Sequence, residues 1–513
     1  QLSGKKITAL VVSVLFALHP MHVESVAWVS ERKDVLYTMF FLLSMIAYLR
    51  YMKSGYQKKK YIGVILYFIA SLLSKSAAVT LPVILIAIDL YKGRKINIRS
   101  LLEKAPLFLL SLLFGILAIL SQKSDGALKD LSLSYTIINQ IFIFSYNIAF
   151  YIVKLIAPLN LSTMYYYPVI HGNALPVLYY FSLPLLLIIS WFIYRKISFR
   201  KESIFGVSFF LIALSVMLQI IPVGISFASD RYTYVASIGL FFIAGQWVSN
   251  IQKKHIKNAV VALFSIYTIM ISYQTWARIG YWKNAEILFT DVIKKYPDNY
   301  HGYWVRGIYR NEINDLQGAL QDFNKVMEYN PNRADNAIAR GSIRYKLNDF
   351  KGAWEDADFT IKLDSTIAEA YNNRGIAYEG LGDMKSAFLD YNKAILLKPA
   401  YGMAYDNRGV IKAKSGDMVG AIEDINKAIK LSPEDSKAYS DRGNIKAMQK
   451  DYKGSVEDFN IALKLKPDDK IAYYNRGNSR YNLNDKTGAC EDWKKSNELG
   501  YEMAADALSK FCN

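Results

Sequence analysis

Sixteen residues near the start of the chain, HPMHVESVAWVSERKD at positions 19–34, gather two histidines, two glutamates, an arginine, a lysine and an aspartate. His19 and His22 are three apart, and Glu24 follows two residues later. Such spacing sets a base beside an acid for proton transfer, or offers a metal two ligands. An interfacial helix with solvated charges accounts for the same residues without chemistry. A second group is SFASDRYTYVAS, where Asp230 and Arg231 precede an apolar run and Tyr232 and Tyr234 stand beside them. An arginine there can grip a phosphate through two N–H groups, or pair locally with Asp230 inside an aromatic belt. Lys75 sits between two apolar runs in LLSKSAAVTLP, as a second phosphate contact or as a turn charge. The candidate catalytic carboxylates are Glu24 and Asp34. The candidate substrate-binding residues are His19, His22, Arg32, Lys33, Lys75, Asp230, Arg231 and Tyr234. Two histidines and one glutamate on a loop do not define a metal site, so no metal is assigned.

These residues sit among apolar stretches of near-spanning length, at about 7–18, 35–52, 61–74, 77–91, 104–121, 136–157, 176–194, 204–222, 232–250 and 258–277. Basic clusters mark alternate ends: Lys5 and Lys6; Arg50, Lys53 and Lys58–Lys60; Lys92, Arg94, Lys95, Arg99 and Lys104; Arg195, Lys196, Arg200 and Lys201; Lys253, Lys254 and Lys257. The positive-inside rule places those loops in the cytoplasm, and 19–34, 75–80, 122–135, 158–175, 223–231 and everything after 278 outside it. The run 136–157 breaks this alternation. It carries Asn139, Tyr146, Asn147, Tyr151 and Lys154, which suits a re-entrant or interfacial helix; a miscounted span elsewhere is the rival. Charge divides at the same place as hydropathy. Residues 1–279 hold 27 Lys and Arg against 9 Asp and Glu, and residues 280–513 hold 35 against 35. The basic excess lies wholly in the apolar half, so nucleic acid is excluded as a partner.

From 280 onward a 34-residue period takes over. Proline recurs at 297, 331, 399, 433 and 467, with Ser365 on the missing beat. An Arg-Gly pair recurs six times, from Arg306-Gly307 to Arg476-Gly477, and a small residue follows each glycine by twelve. Asp315, Asp349, Asp383, Asp417, Asp451 and Asp485 fall where a second helix should begin, as N-caps. Asp322, Asp356, Asp390, Asp424, Asp458 and Asp492 lie sixteen after each arginine and predict Arg–Asp pairs between facing helices. The pattern resembles the tetratricopeptide repeat. It predicts a half-repeat over 282–297 paired with the end of the last apolar helix, six repeats over about 300–503, and a closing helix over about 501–512. A concave groove would be lined by Asn373, Asn407, Asp441 and Asn475, with Asn372, Asp406, Ser440 and Tyr474 beside them, and would bind a peptide or protein.

The stretches HPMHVESVAWVSERKDVLYTMFFLL, LLSKSAAVTLPVILIAIDLY and PVGISFASDRYTYVASIGL, followed by GYWKNAEILF and the repeats, resemble the membrane O-mannosyltransferase family that joins many transmembrane helices to tetratricopeptide repeats. The resemblance implies an all-α protein: a polytopic transmembrane bundle over 1–279 and a repeat solenoid over 280–513. It implies an integral-membrane glycosyltransferase of the GT-C type, in a bacterial inner membrane, with its repeats periplasmic. The donor would be a polyprenyl-phosphate sugar, with mannose suggested, and no other cofactor is implied. A carboxylate would activate the acceptor hydroxyl and basic residues would hold the lipid phosphate. In that family the main catalytic acid lies in the first external loop. Gln1 is not a start methionine and the first apolar run opens at Ile7, so the chain reads as the later part of a longer protein with that loop upstream. A membrane-anchored repeat scaffold without enzymatic activity is the alternative. Cys490 and Cys512 fall on the last repeat and the closing helix, which pack together in such a stack; a bridge and two free thiols are both open.

Overall fold

A computed structural model describes residues 2–124, 135–168, 174–196, 200–218 and 226–512. It is almost entirely helical and divides into two compact units, Gln1–Pro297 and Asp298–Asn513. The division falls later than the switch in charge and hydropathy at about 280. The helix Ala285–Lys295, read from sequence as half a repeat, belongs with the first unit. Lys295 donates to the Leu161 carbonyl at 2.6 Å, and the Tyr296 ring stands edge-on to Tyr166.

Among the described residues of the first unit four helices are long and apolar enough to cross a membrane: Val29–Lys53, Ala105–Gln122, Ile137–Ile156 and Lys254–Tyr281. A fifth span results if Lys6–Leu18 and Pro20–Ala27, bent by 55°, are taken as one. Nine or ten were expected. Several of the expected runs form shorter helices: Lys58–Ser74 has 17 residues, Leu81–Lys92 has 12 and Ser237–Ser249 has 13, whereas a span needs about 20. The segment that broke the alternation forms one unbroken helix, Ile137–Ile156. Its polar residues face protein. Asn147 donates to the Phe227 carbonyl at 2.9 Å, and the Tyr151 hydroxyl both donates to the Ser229 carbonyl and accepts from its N–H.

Arg94 and Lys104 entered the charge reading as loop charges, yet both are consumed inside the unit. Lys104 is fully buried and donates to Asp89 at 2.7 Å; Arg94 donates to Glu103 at 2.7 Å, and Tyr48 completes the cluster on Asp89. A buried ion cluster is tolerated only when its members satisfy one another in this way. Gly206 allows the helices Arg200–Ser215 and Ser237–Ser249 to touch, since a Cβ there would lie 2.6 Å from the Gly239 carbonyl oxygen. One feature had no sequence signal. Tyr165–Tyr166 and Ser226–Ala228 pair as a short antiparallel ribbon, which delivers residues 229–231 to the candidate site.

The second unit contains six helix pairs, from Tyr300–Glu312 with Leu316–Tyr329 to Lys470–Asn482 with Lys486–Glu498, and a closing helix Glu502–Phe511. Each aspartate of the first column caps its second helix by accepting from the N–H three residues on. Each arginine meets the aspartate sixteen residues later, as Arg408 does to Asp424 at 2.7 and 2.6 Å. The same guanidinium reaches back to the preceding repeat, Arg408 to Asn392 at 2.7 Å, so the ladder joins repeats as well as helices. Glycine follows the arginine because the second helix presses on it: a Cβ at Gly477 would meet the Trp493 indole at 2.7 Å.

A disulfide joins Cys490 to Cys512, with Cα atoms 5.7 Å apart. Phe511 beside it packs on Tyr481 and Trp493. The bridge closes a separation of 22 residues, worth about 3 kcal/mol in the chain-entropy account. Replacing both cysteines by serine should therefore remove about that much stability from the closing helix. Amide exchange checks this: protection should fall across Glu502–Phe511 and stay unchanged in the first four repeats.

Candidate functional site

The short helix Val23–Ala27 and the following turn Val29–Glu31 carry two of the carboxylates, and the start of the helix Arg32–Lys53 carries a third. Glu24 is 1% exposed. It accepts from the Ser229 hydroxyl at 2.8 and 3.0 Å, from the Arg231 N–H at 3.1 Å and from the Arg231 guanidinium. Asp34 is equally buried and accepts from Lys75 and, at 3.2 Å, from the Ser25 hydroxyl. Glu31 stands between the two pairs, with Lys33 Nζ at 3.5 Å, Lys75 Nζ at 3.6 Å and Arg231 Nε at 3.7 Å. Five sequence-derived candidates, Glu24, Lys33, Asp34, Lys75 and Arg231, are thus linked through Glu31, which was not among them.

This charged row opens on a cavity of about 660 Å³. Glu31, Lys33, Lys75 and Arg231 line its polar end. Val79, Ala118, Ile119, Val216 and Met217 form an apolar wall. Arg231 is further fixed between the Trp28 and Tyr232 rings, 5.4 and 5.2 Å from its guanidinium carbon. Three cations against one lining carboxylate make the polar end suited to an anion, and the wall suited to an aliphatic chain. Glu24 and Asp34 lie behind it, where they hold Arg231 and Lys75 in place.

The remaining candidates go elsewhere. His19 accepts from the Met21 N–H and lies 3.2 Å from the Leu155 carbonyl; His22 lies 2.7 Å from the Phe16 carbonyl and 3.2 Å from Ser237 Oγ. Both nitrogens of each ring are occupied, and the rings pack with Phe16, Tyr234 and Phe241. Their role here is to shape the bend after Lys6–Leu18, and Tyr234 belongs to the same packing. Arg32 is exposed and does not line the cavity. Asp230 turns away from Arg231. Its carboxylate is fully buried, accepting from Tyr165 at 2.8 Å and from Arg278 at 2.5 Å. Burial pushes its pKa up to about 7 against the opposing pull of Arg278. Burial likewise raises the Tyr165 phenol well above its usual value, so it serves as a neutral donor. Sequence reasoning missed Arg278, although an arginine at the end of a long apolar helix is the available signal. It read Tyr151 only as a polar residue of the run 136–157, and it missed Tyr165 and Ser229, for which the sequence holds no signal. Asp125 and Asp130, further acids of the notionally external loops, lie outside the described residues. Among the described residues no cluster of three or more metal-ligating side chains occurs.

In the second unit the groove candidates form a chain along the first helices of successive repeats. Asn407 donates to Asn372 at 3.1 Å, Asn372 lies 3.4 Å from Asn373, and Asn475 donates to Asn444 at 3.0 Å. Lys437 bridges the buried Asp406 and Asp441, the latter at 2.8 Å.

The tetratricopeptide-repeat family model matches residues 368–401 and 404–435, and the chain contains these repeats. A protein O-mannosyl-transferase of Caenorhabditis elegans is 27% identical over 299 residues, covering 56% of this chain and 41% of that protein. The chain therefore spans less than half the length of that relative. Among solved structures, a thermophilic tetratricopeptide-repeat protein of Thermus thermophilus is 17% identical, with a TM-score of 0.33, covering 36% of this chain and 99% of its own. PilF of Pseudomonas aeruginosa is 15% identical with a TM-score of 0.35, covering 41% and 97%.

Proposed function

We propose that this protein is a membrane-embedded glycosyltransferase that takes a sugar, with mannose the first candidate, from a polyprenyl-phosphate donor at the external face of a bacterial inner membrane. Its repeats hold the acceptor or a partner protein. The observation that carries this reading is the cavity whose polar end presents Lys33, Lys75 and Arg231 and whose wall is Val79, Ala118, Ile119, Val216 and Met217. A lipid phosphate needs both ends at once. The likeness to a protein O-mannosyl-transferase supports the reaction class, and the Cys490–Cys512 bridge supports an oxidising compartment for the repeats.

In this reading Arg231 and Lys75 hold the phosphate while the bond to the sugar breaks, stabilising the charge that gathers on the leaving oxygen. Glu24 and Asp34 act as positioning residues. Each keeps one cation at the cavity edge and suppresses its side-chain freedom.

Lys33 makes the cleanest test. It lines the cavity but is 48% exposed and holds no buried carboxylate on its own. Lys33→Gln should leave the thermal midpoint unchanged and weaken binding of farnesyl phosphate to the purified protein by roughly tenfold. Equal affinity of the wild type for farnesol and farnesyl phosphate would show that the cavity does not recognise an anion, and would overturn the proposal.

A further inference from the structure

A carboxylate is an odd wall for a phosphate site, and Glu31 is one. It is 6% exposed and lines the cavity. Its Oε2 accepts no hydrogen bond. The three cations around it stand at 3.5, 3.6 and 3.7 Å, and the stronger contacts of two of them go to other acids, Arg231 to Glu24 and Lys75 to Asp34. A buried carboxylate oxygen without a donor is costly unless a ligand or water supplies one. The dianion of a phosphate monoester, the main form above pH of about 6, supplies none. It carries two negative charges and would be repelled by Glu31 while being drawn to the cations. A glycosyl phosphodiester carries one negative charge and places sugar hydroxyls beside it, each able to donate to Oε2.

We propose that Glu31 is the specificity-determining residue of the cavity, accepting a hydrogen bond from a sugar hydroxyl next to the phosphate and repelling the phosphate monoester that remains when the sugar has gone. The inference rests on the lipid-phosphate reading of the cavity and adds to it a reason for the spent carrier to leave. Attraction to the right ligand and repulsion of the wrong one act through the same carboxylate.

The test compares farnesyl phosphate with its mannosyl ester on the purified full chain, by titration calorimetry. The wild type should bind the mannosyl ester roughly tenfold to a hundredfold tighter than the monoester, the range for one hydrogen bond to a charged group. Glu31→Gln keeps the shape and removes the charge. It should tighten binding of the monoester and collapse the preference. Glu31→Asp, which restores the charge on a shorter arm, should recover part of it. Unchanged preference in Glu31→Gln would overturn the inference, as would a wild type that binds both probes equally while rejecting farnesol. In those two cases the lipid-phosphate reading survives. If the wild type binds neither probe, both fall together.

Discussion

Replacing Arg278 by methionine should destabilise the first unit by about 3–5 kcal/mol at pH 8, the range for stranding one half of a buried ion pair, and by far less at pH 5. Asp230 is fully buried, and Arg278 is the cation that meets it, at 2.5 Å. The pH dependence follows from linkage. Asp230 already has its pKa raised to about 7 in the folded protein, above the ordinary value of about 3.9 for an unfolded aspartate. Between those values the folded state holds the extra proton, so this group's contribution to stability declines as pH rises. Without Arg278 the folded pKa climbs further and the decline continues past pH 7. At pH 5 Asp230 is protonated with or without the arginine, and little distinguishes the proteins. Denaturant titrations at the two pH values check this. The double variant Asp230→Asn, Arg278→Met should recover much of the loss at pH 8 and show no dependence from this site. A loss equal at pH 5 and pH 8 would mean that Arg278 acts through packing alone.

The consequence would reach the cavity, because Asp230 sits one residue before Arg231. Ser229, Asp230 and Arg231 send their side chains two ways: Ser229 and Arg231 to Glu24, Asp230 to Tyr165 and Arg278. From sequence, Asp230 and Arg231 read as a local pair. Adjacent residues in a tight 3₁₀ turn do not face one another, and each instead finds a partner 48 or 207 positions away. Arg231 is thereby also a structural residue. Its removal should damage folding as well as binding, since it leaves Glu24 buried beside a single hydroxyl and one N–H.

Legibility tracked how local each determinant is. The repeats were readable in detail because every contact recurs at a fixed separation. The caps lie three residues from their targets and the ladder arginines sixteen from theirs, so periodicity alone exposed both. In the apolar half the elements were readable but their partners were not. His19 and His22 have the spacing of ligands, yet their ring nitrogens are taken by Phe16, Met21, Leu155 and Ser237. Nothing in a single sequence tells a satisfied core histidine from a waiting one. Glu31 was seen as one charge in a crowded loop. Only its placement between two completed ion pairs separates it from Glu24 and Asp34. The number of spans was not legible, because a run of 12–17 apolar residues looks alike whether it crosses a bilayer or packs inside a helical unit.

Arg374→Met should be the most damaging single change in the ladder, and the reason lies in what its own repeat lacks. In five of the six repeats the buried aspartate has two cations. Arg310 joins Arg306 on Asp322 at 3.1 Å, Arg344 joins Arg340 on Asp356 at 3.0 Å, and Arg480 joins Arg476 on Asp492 at 3.1 Å. Lys412 and Lys446 serve Asp424 and Asp458 at 2.9 Å. In the third repeat that position is Tyr378, so Asp390, only 7% exposed, depends on Arg374, which donates to it at 2.8 and 2.9 Å and reaches back to Asp358 at 2.9 Å. Removing Arg374 should therefore cost about 3–5 kcal/mol. Arg442→Met, with Lys446 still on Asp458, should cost about 1–2 kcal/mol, the worth of lost hydrogen bonds to a charge that keeps a partner. Because stacked repeats are stable only through their neighbours, the loss should appear as local opening. Native-state amide exchange would find protection falling across Ala368–Leu397 and the facing edges of the adjoining repeats. Tyr378→Lys in the Arg374→Met background restores the cation that the other repeats possess, and should recover a large part of the protection. Equal costs for the two arginines, or no rescue by the lysine, would mean that the ladder is held by shape and not by the pairing of buried charge.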